Sequence, residues 1–205
     1  MRQAPHPMTL IAYTAIFGLV LAWSAIEPFD RLTWALEVAP AVIAFVVLAA
    51  TLRRFPLTPL LYFLILVHAV ILMVGGHYTY AEVPGFRFDI GWLGGERNQY
   101  DKLGHFAQGF VPAMVARELL LRLKVLARPR WVAFLVLCIA LAVSAFYELI
   151  EWWVALLVGI DSEAFLGTQG FEWDTQSDMG LALFGAAAAL AALSRLHDRQ
   201  LRKLG

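Results

Sequence analysis

Long apolar runs constrain the fold of this chain more than any other feature of its sequence. Six runs separated by polar connections occupy residues 8–26, 34–52, 57–75, 102–123, 131–158 and 178–193. Most approach the ~20 residues that a helix needs to cross a hydrocarbon core of ~30 Å. Hydrophobic residues make up 60% of the 205 residues, more than an ordinary soluble domain contains. The pattern predicts an all-α fold, a polytopic membrane helical bundle with six transmembrane helices in a single domain over residues 1–205.

Lysine and arginine are distributed unevenly between the connections. The N-terminus, the second and fourth connections and the C-terminal tail would hold twelve of the 16 basic residues: Arg2, Arg53, Arg54, Arg117, Arg122, Lys124, Arg128, Arg130, Arg195, Arg199, Arg202 and Lys203. The other side would keep Arg31, Arg87, Arg97 and Lys102. Because short cytoplasmic segments carry the excess of basic residues, both termini are predicted to be cytoplasmic.

Charge and cysteine content exclude several classes of function. The formal net charge is zero, so no overall basic excess points to nucleic acid as a partner. Cys138 is the single cysteine and lies inside an apolar run. The chain therefore has neither an internal disulfide nor a cysteine-based zinc cluster.

Polar residues recur at helical spacing near the ends of three predicted spans. Side chains three or four residues apart share one face of a helix. Three pairs have this spacing: Asp101 with His105, Glu148 with Glu151, and Asp174 with Asp178. With the predicted topology, the fourth span begins, the fifth ends and the sixth begins on the same outer side. We therefore expect these residues to form one polar site near the outward face.

Acid–base chemistry and cation binding are the roles that these side chains suit. Positioned imidazole and carboxyl groups transfer protons, which makes His105, Glu148 and Glu151 the candidates for catalysis. Oxygen and imidazole ligands bind divalent cations, and the candidate ligands are Asp101, His105, Glu148, Glu151, Asp174 and Asp178. Other polar residues expected at the site are Lys102, Gln108, Gln169, Thr175 and Gln176. The last connection covers residues 159–177. The segment from Phe165 to Asp178 is expected to be a lid, a ligand-binding loop or an ordinary polar turn.

Each group also has a purely structural interpretation. Asp101 and Asp174 could cap the N-termini of their helices, with Asp178 completing a capping box. The two glutamates could pair with Lys102, Arg97 or His105 only to hold helices together.

Three motifs follow one another along the chain: Asp101-Lys-Leu-Gly-His-Phe106, Tyr147-Glu-Leu-Ile-Glu-Trp152 and Gly167-Thr-Gln-Gly…Trp173-Asp-Thr-Gln-Ser-Asp178. With these motifs the chain resembles the YjdF-type family of bacterial inner-membrane proteins, whose function is not established. More distantly it resembles VanZ-like membrane proteins, which are associated with glycopeptide resistance. The first resemblance implies a multi-pass protein of the bacterial inner membrane. It also implies that the motif residues matter, but it supplies no mechanism.

Three classes of function are consistent with these observations. The first is an enzyme that acts on a lipid or lipid-linked envelope substrate. The second is a small ion- or proton-coupled transporter whose carboxylates bind the coupling ion. The third is a structural or assembly protein of the membrane. The sequence contains no serine elbow, phosphate loop or HExxH motif that would define a reaction.

Overall fold

Six long helices account for most of the fold. The computed structural model describes residues 6–125, 129–158 and 167–204. The helices are α1 (Pro7–Ser24), α2 (Arg31–Thr51), α3 (Pro59–Tyr78), α4 (Tyr100–Arg122), α5 (Pro129–Val158) and α6 (Asp174–Leu204). The prediction of a helical fold is confirmed. Of the predicted features, Arg2, Arg128 and residues 159–166 of the last connection lie outside the described residues.

The helix starts follow from local sequence chemistry. Proline occupies the first helical position of α1 and α3, where its missing N–H costs no hydrogen bond. Asp30 caps α2, because its Oδ1 accepts a hydrogen bond of 2.7 Å from the backbone N–H of Thr33. That hydrogen bond also lowers the pKa of Asp30 below its ordinary value.

Five of the six helices, all except α4, are long and apolar enough to cross a membrane. In α4, charged or polar groups such as Asp101, Lys102, His105 and Glu118 are buried. These groups face neighbouring helices rather than lipid, since α4 contacts α3, α5 and α6. The described residues thus form six helices, as expected, and α4 is the polar helix among them.

The last helix is longer than predicted. The sequence indicated a span over residues 178–193 followed by a basic tail, but α6 runs from Asp174 to Leu204. The extension is helical because its polar residues have partners: His197 is fully buried, and Gln200 accepts a hydrogen bond of 2.9 Å from the backbone of Leu60. The basic tail is therefore a continuation of the helix, and the early start places Asp174 and Asp178 one helical turn apart.

Helices α4 and α6 pack closely through glycine. A Cβ atom at Gly109 would overlap the backbone carbonyl of Ala182, and one at Gly185 would overlap the carbonyl of Phe106. Small residues at such crossings let two backbones approach each other. This contact brings the polar faces of α4 and α6 together at both ends.

A row of small or β-branched residues directs α5 toward the same bundle interior. Val132, Val136, Ala140 and Ser144 follow one another at intervals of four residues, and all are buried. Because the four-residue interval follows one face of a helix, the row continues to Glu148, which lies on the side facing α4.

The long connection between α3 and α4 forms a small cap. It contains two 3-10 turns (Tyr80–Glu82 and Gly91–Leu93) and an antiparallel hairpin of β1 (Arg87–Ile90) and β2 (Gly95–Asn98). Gly94 and Gly95 have φ values of 95° and 74°, which glycine adopts without strain. The sequence did not predict these strands, which are four residues long and lack a buried apolar face.

Candidate functional site

The structure brings the predicted acidic residues of α4, α5 and α6 together around one histidine. We call this group the His105 cluster; its members are Arg97, Asp101, Lys102, His105, Glu148, Glu151, Asp174 and Asp178. Arg97 comes from β2, directly before α4, so the hairpin also contributes to it. The ring of His105 is buried, with 7% of its side chain exposed.

One half of the cluster consists of short ion pairs. Lys102 Nζ donates to Asp174 Oδ1 at 2.6 Å and to Asp178 Oδ1 at 2.7 Å. Arg97 also donates to Asp174 Oδ1 at 2.6 Å and to the carbonyl of Gly167 at 2.7 Å. Asp174 therefore lies between two cations. This half fixes β2, the start of α4 and the start of α6 to one another.

The other half is centred on His105, whose two ring nitrogens face different carboxylates. Its Nε2 lies 3.4 Å from Asp101 Oδ1 and 3.9 Å from Asp178 Oδ2. Its Nδ1 lies 3.8 Å from Glu148 Oε1 and 3.2 Å from Gln108 Oε1. The imidazole thus separates the aspartates of α4 and α6 from the glutamates of α5.

Two overlapping sets of side chains have the spacing of metal ligands. The first comprises Asp101, His105 and Asp178, and the second comprises His105, Glu148 and Glu151; within each set the ligand atoms lie within 4.8 Å of one another. Asp174 belongs to neither set among the described residues. Five of the six predicted ligands therefore converge, and Asp174 is bound by Arg97 and Lys102.

A small cavity of about 60 Å³ adjoins His105 and contains residues that the sequence did not single out. It is large enough for a few water molecules. Its lining includes Glu37 from α2 and Tyr147 from α5, and the Tyr147 hydroxyl donates to Glu37 Oε2 at 3.0 Å. Glu37 is buried, with 3% exposed. A glutamate nearly two turns inside an apolar helix was the available sequence signal, since intramembrane carboxyl groups mark functional sites.

Tyr80 closes the cavity toward the cap. Its ring fills the space that side chains at Gly75 and Gly104 would occupy, which explains the two glycines on α3 and α4. Burial raises the pKa of the Tyr80 phenol well above its ordinary value, so its hydroxyl is neutral. His68 of α3 also lines the cavity, and its Nε2 has no hydrogen-bond partner among the described residues.

The cluster has an excess of acid. Two permanent cations, Arg97 and Lys102, face six carboxyl groups of the cluster and cavity: Glu37, Asp101, Glu148, Glu151, Asp174 and Asp178. Within the described part of the chain, Asp101 Oδ2 and Glu148 Oε1 are buried without a hydrogen-bond partner. Because uncompensated buried charge is costly, the site calls for additional positive charge, as protons or as a bound cation.

The remaining predicted polar residues occupy three different settings. Gln108 contacts His105 and lines the cavity. Gln169 hydrogen-bonds both backbone groups of Asn98, at 2.9 and 3.0 Å, and so ties the last connection to β2. Thr175 and Gln176 are exposed on the first turn of α6, where Thr175 lies near Glu148.

The capping interpretation does not account for Asp101. The N-cap of α4 is Gln99, without a side-chain capping hydrogen bond, and Asp101 lies inside the first turn. Asp174 is the first residue of α6, and its carboxylate forms ion pairs with Arg97 and Lys102.

A second buried ion network lies at the other end of α4, and we call it the Glu118 cluster. Both Glu118 and His197 are fully buried. Glu118 accepts hydrogen bonds from Thr58, at 2.8 Å from its hydroxyl, from Arg122 at 2.7 Å and from His197 Nε2 at 2.9 Å. Arg117 contacts His197 Nδ1 at 2.9 Å and Asp198 at 2.7 Å. Because arginine only donates, Nδ1 accepts and the proton of His197 is on Nε2.

These features define a helical membrane protein with a buried acidic site, and comparison with known proteins identifies its family. A family model described as predicted membrane protein (DUF2238) matches residues 9–199, so the chain belongs to that family. Inner membrane protein YjdF of Escherichia coli (strain K12) is 55% identical over 206 residues, which cover 100% of this chain and 98% of the relative. No solved structure matches the chain.

The family match confirms two expectations. The resemblance to the YjdF-type family is correct. The relative is an inner membrane protein and five helices here are long and apolar enough to cross a membrane, so the chain is a multi-pass protein of the inner membrane. The likeness to VanZ-like proteins stays a prediction.

Proposed function

We propose that the protein forms one unit of six transmembrane helices, with both termini in the cytoplasm and the His105 cluster near the periplasmic face. Helix α4 contains charged residues, but it is buried among three other helices, and this burial supports its assignment as a transmembrane span. The basic residues of the described chain support this orientation. Arg53, Arg54 and the basic C-terminal end of α6 lie at the end of the helix bundle opposite the cap.

Cysteine labelling tests this topology. The exposed Cys138 is first replaced by serine, and Trp92→Cys in the cap and Arg54→Cys after α2 are then compared in intact cells. A membrane-impermeant maleimide should label the first variant and should label the second only after lysis. The reverse pattern would invert the orientation, and labelling of both in intact cells would contradict six spans.

Within this topology we propose that the site is catalytic and acts on a lipid or lipid-linked envelope substrate. The position of His105 between two sets of buried carboxylates carries the proposal. Asp101 on Nε2 leaves Nδ1 to exchange a proton with Glu148, Glu151 or a substrate group, which is the arrangement that general acid–base catalysis requires. The cavity beside the ring, at about 60 Å³, has room for a few water molecules but not for a headgroup, so the substrate would reach the ring from the membrane interface.

Lipid analysis tests the proposed activity. Cells lacking the protein are complemented with wild type, His105→Ala or the control Asp198→Asn, whose carboxylate is half-exposed at the opposite end. We expect one lipid or lipid-linked intermediate to accumulate without the protein and with His105→Ala, but not with the control. Identical lipid profiles in all strains, with equal amounts of folded protein in the three complemented strains, would contradict an enzyme of this class.

A proton-coupled carrier is the second candidate, because the cavity extends from His105 to Glu37 inside α2. Purified protein in liposomes containing a pH-sensitive dye would then show proton flux that Glu37→Gln abolishes. If His105→Ala and Glu148→Gln reduce only the yield of folded protein, the cluster is structural and both functional candidates fail.

A further inference from the structure

We propose that His105, Glu148 and Glu151 bind a divalent cation of the Zn²⁺ type, with Asp101 orienting the imidazole. This inference rests on the proposed function and deepens it, because it assigns a ligand to the same site. With an ion bound, His105 Nδ1 would be a ligand, and a water molecule on the ion would take over the proton exchange proposed for that nitrogen. It also chooses between the two overlapping sets of residues whose ligand atoms lie within 4.8 Å of one another.

The neighbourhood of Lys102 favours the glutamate set over the aspartate set. In the aspartate set, Asp178 accepts a hydrogen bond of 2.7 Å from Lys102 Nζ, which also lies 3.4 Å from Asp101 Oδ2. The ammonium group already occupies the place of a cation there and would repel a divalent ion. No lysine or arginine contacts the carboxylates of Glu148 and Glu151 in the described part of the chain. An added cation would therefore be stabilised most beside the two glutamates.

The orientation of His105 matches that of a metal-binding histidine whose second ring nitrogen is fixed by a carboxylate. Metal-binding histidines almost always donate their second ring N–H to a carboxylate or carbonyl, which fixes the tautomer. His105 Nε2 lies 3.4 Å from Asp101 Oδ1, while Nδ1 points toward Glu148. In the structure, Nδ1 lies 3.2 Å from Gln108 Oε1, an amide oxygen that only accepts, so Nδ1 donates in this contact. A bound ion would replace the proton on Nδ1 and leave the proton on Nε2, which faces Asp101. The neutral amide of Gln108 is the group that would move aside.

A separate observation at Glu148 points to a missing ligand. The Glu148 side chain is only 9% exposed, and its Oε1 atom lies 3.8 Å from His105 Nδ1. Within the described residues, this buried oxygen has no hydrogen-bond donor. Bonds of ~2.0–2.1 Å to a tetrahedral ion would place ligand atoms roughly 3.4 Å apart. The three side chains therefore need only a small inward movement to reach bonding distance.

The ligand set narrows the identity of the ion. Imidazole nitrogen combined with carboxylate oxygen suits Zn²⁺, whereas Mg²⁺ and Ca²⁺ prefer oxygen alone. Three protein ligands leave a fourth position for water, as in catalytic zinc sites. His105 and Glu151 both line the 60 Å³ cavity, so that position would open toward it. A metal-bound water there would supply a nucleophile to the proposed reaction.

Zinc titration of the purified, full-length protein tests this assignment without any substrate. Protein in detergent is stripped with a chelator, and Zn²⁺ is titrated against a competing chromophoric chelator. We expect wild type to bind one Zn²⁺ per chain and to unfold at a higher temperature when loaded, because the ligand binds only the folded state. Glu148→Gln and Glu151→Gln should weaken binding at least about 100-fold, and Asp101→Asn about 10–100-fold.

The control Asp178→Asn separates the two possible sites. It should change zinc affinity much less than either glutamate variant, provided that size-exclusion chromatography shows each variant folded. Loss of binding in Asp178→Asn with full binding in Glu148→Gln would overturn the assignment, as would a folded wild type that binds no stoichiometric Zn²⁺. Zinc binding together with unchanged lipid profiles would refute the proposed activity while preserving the cation site.

Discussion

The two buried ion clusters on α4 differ in how completely their charges are matched. Each oxygen of the Glu118 carboxylate accepts a short hydrogen bond, from Arg122 on one and from Thr58 and His197 on the other. At the other end of the same helix, His105 faces four carboxylates at 3.4 Å or more, and two buried oxygens lack donors among the described residues. The central groups of both clusters are buried: Glu118 and His197 are fully buried, and the His105 side chain is 7% exposed.

This difference separates a structural network from a candidate site. Buried polar groups that only stabilise a fold are usually fully hydrogen-bonded, as at Glu118. A buried cluster with unmatched acid loses stability unless protons or a ligand complete it, and such sites are enriched in functional residues. The contrast lies within one helix, so differences in overall exposure do not explain it.

Removal of the Glu118 charge should have the largest effect on stability. Glu118→Gln leaves Arg122 and the hydrogen-bonded His197 without their buried anion, which typically costs about 3–5 kcal/mol. We expect a large fall in the thermal unfolding midpoint in detergent. Asp198→Asn, at the half-exposed edge of the same network, should change it little. A midpoint unchanged by Glu118→Gln would contradict the structural role.

Disruption of the contact between α4 and α6, which lies between the two clusters, should have the second-largest effect on stability. Gly109→Ala places a methyl group on the backbone of Ala182, and overpacking of this kind costs about 1–3 kcal/mol. Gly180→Ala on α6 meets nothing within 4 Å and serves as the matched control. If both variants unfold at the same temperature as wild type, the close approach of α4 and α6 is wrong.

The same change from glutamate to glutamine in the His105 cluster should alter the stability of the protein only slightly, or even increase it. Glu148→Gln removes one of several neighbouring acids, so we expect the free energy of unfolding to stay within about 1 kcal/mol of wild type or to rise. The measurement is made without added metal. Destabilisation as large as that of Glu118→Gln would show that the two clusters play the same role.

Asp30 provides a single carboxylate whose role is helix capping alone. Asp30→Ala should cost about 1 kcal/mol at neutral pH, through the lost hydrogen bond to Thr33. Because this bond lowers the pKa of Asp30 in the folded state below 3.8, its stabilisation is present above that value and disappears as the pH falls through the lowered pKa. Unfolding midpoints measured across this range should therefore converge in acid. Asp30→Asn, which still caps, should show less dependence on pH.

Local pattern alone predicted most of the fold. Apolar runs of membrane length placed five of the helices to within a few residues, because a chain in lipid must satisfy its backbone hydrogen bonds within each span. The three- and four-residue spacings of Asp101 with His105, and of Glu148 with Glu151, likewise placed those pairs on single helix faces.

Only the tertiary structure decided how these faces combine. It joined Glu37 of α2 to the site, matched Asp174 with Arg97 and Lys102, and extended α6 so that His197 could reach Glu118. It also distinguished a fully hydrogen-bonded ion network from one with unpaired acid, although each contains an oppositely charged pair at four-residue spacing, Asp101 with His105 and Glu118 with Arg122. The physical reason is that helical spacing determines which side chains share a face, whereas the partner of each buried charge depends on which helices pack together.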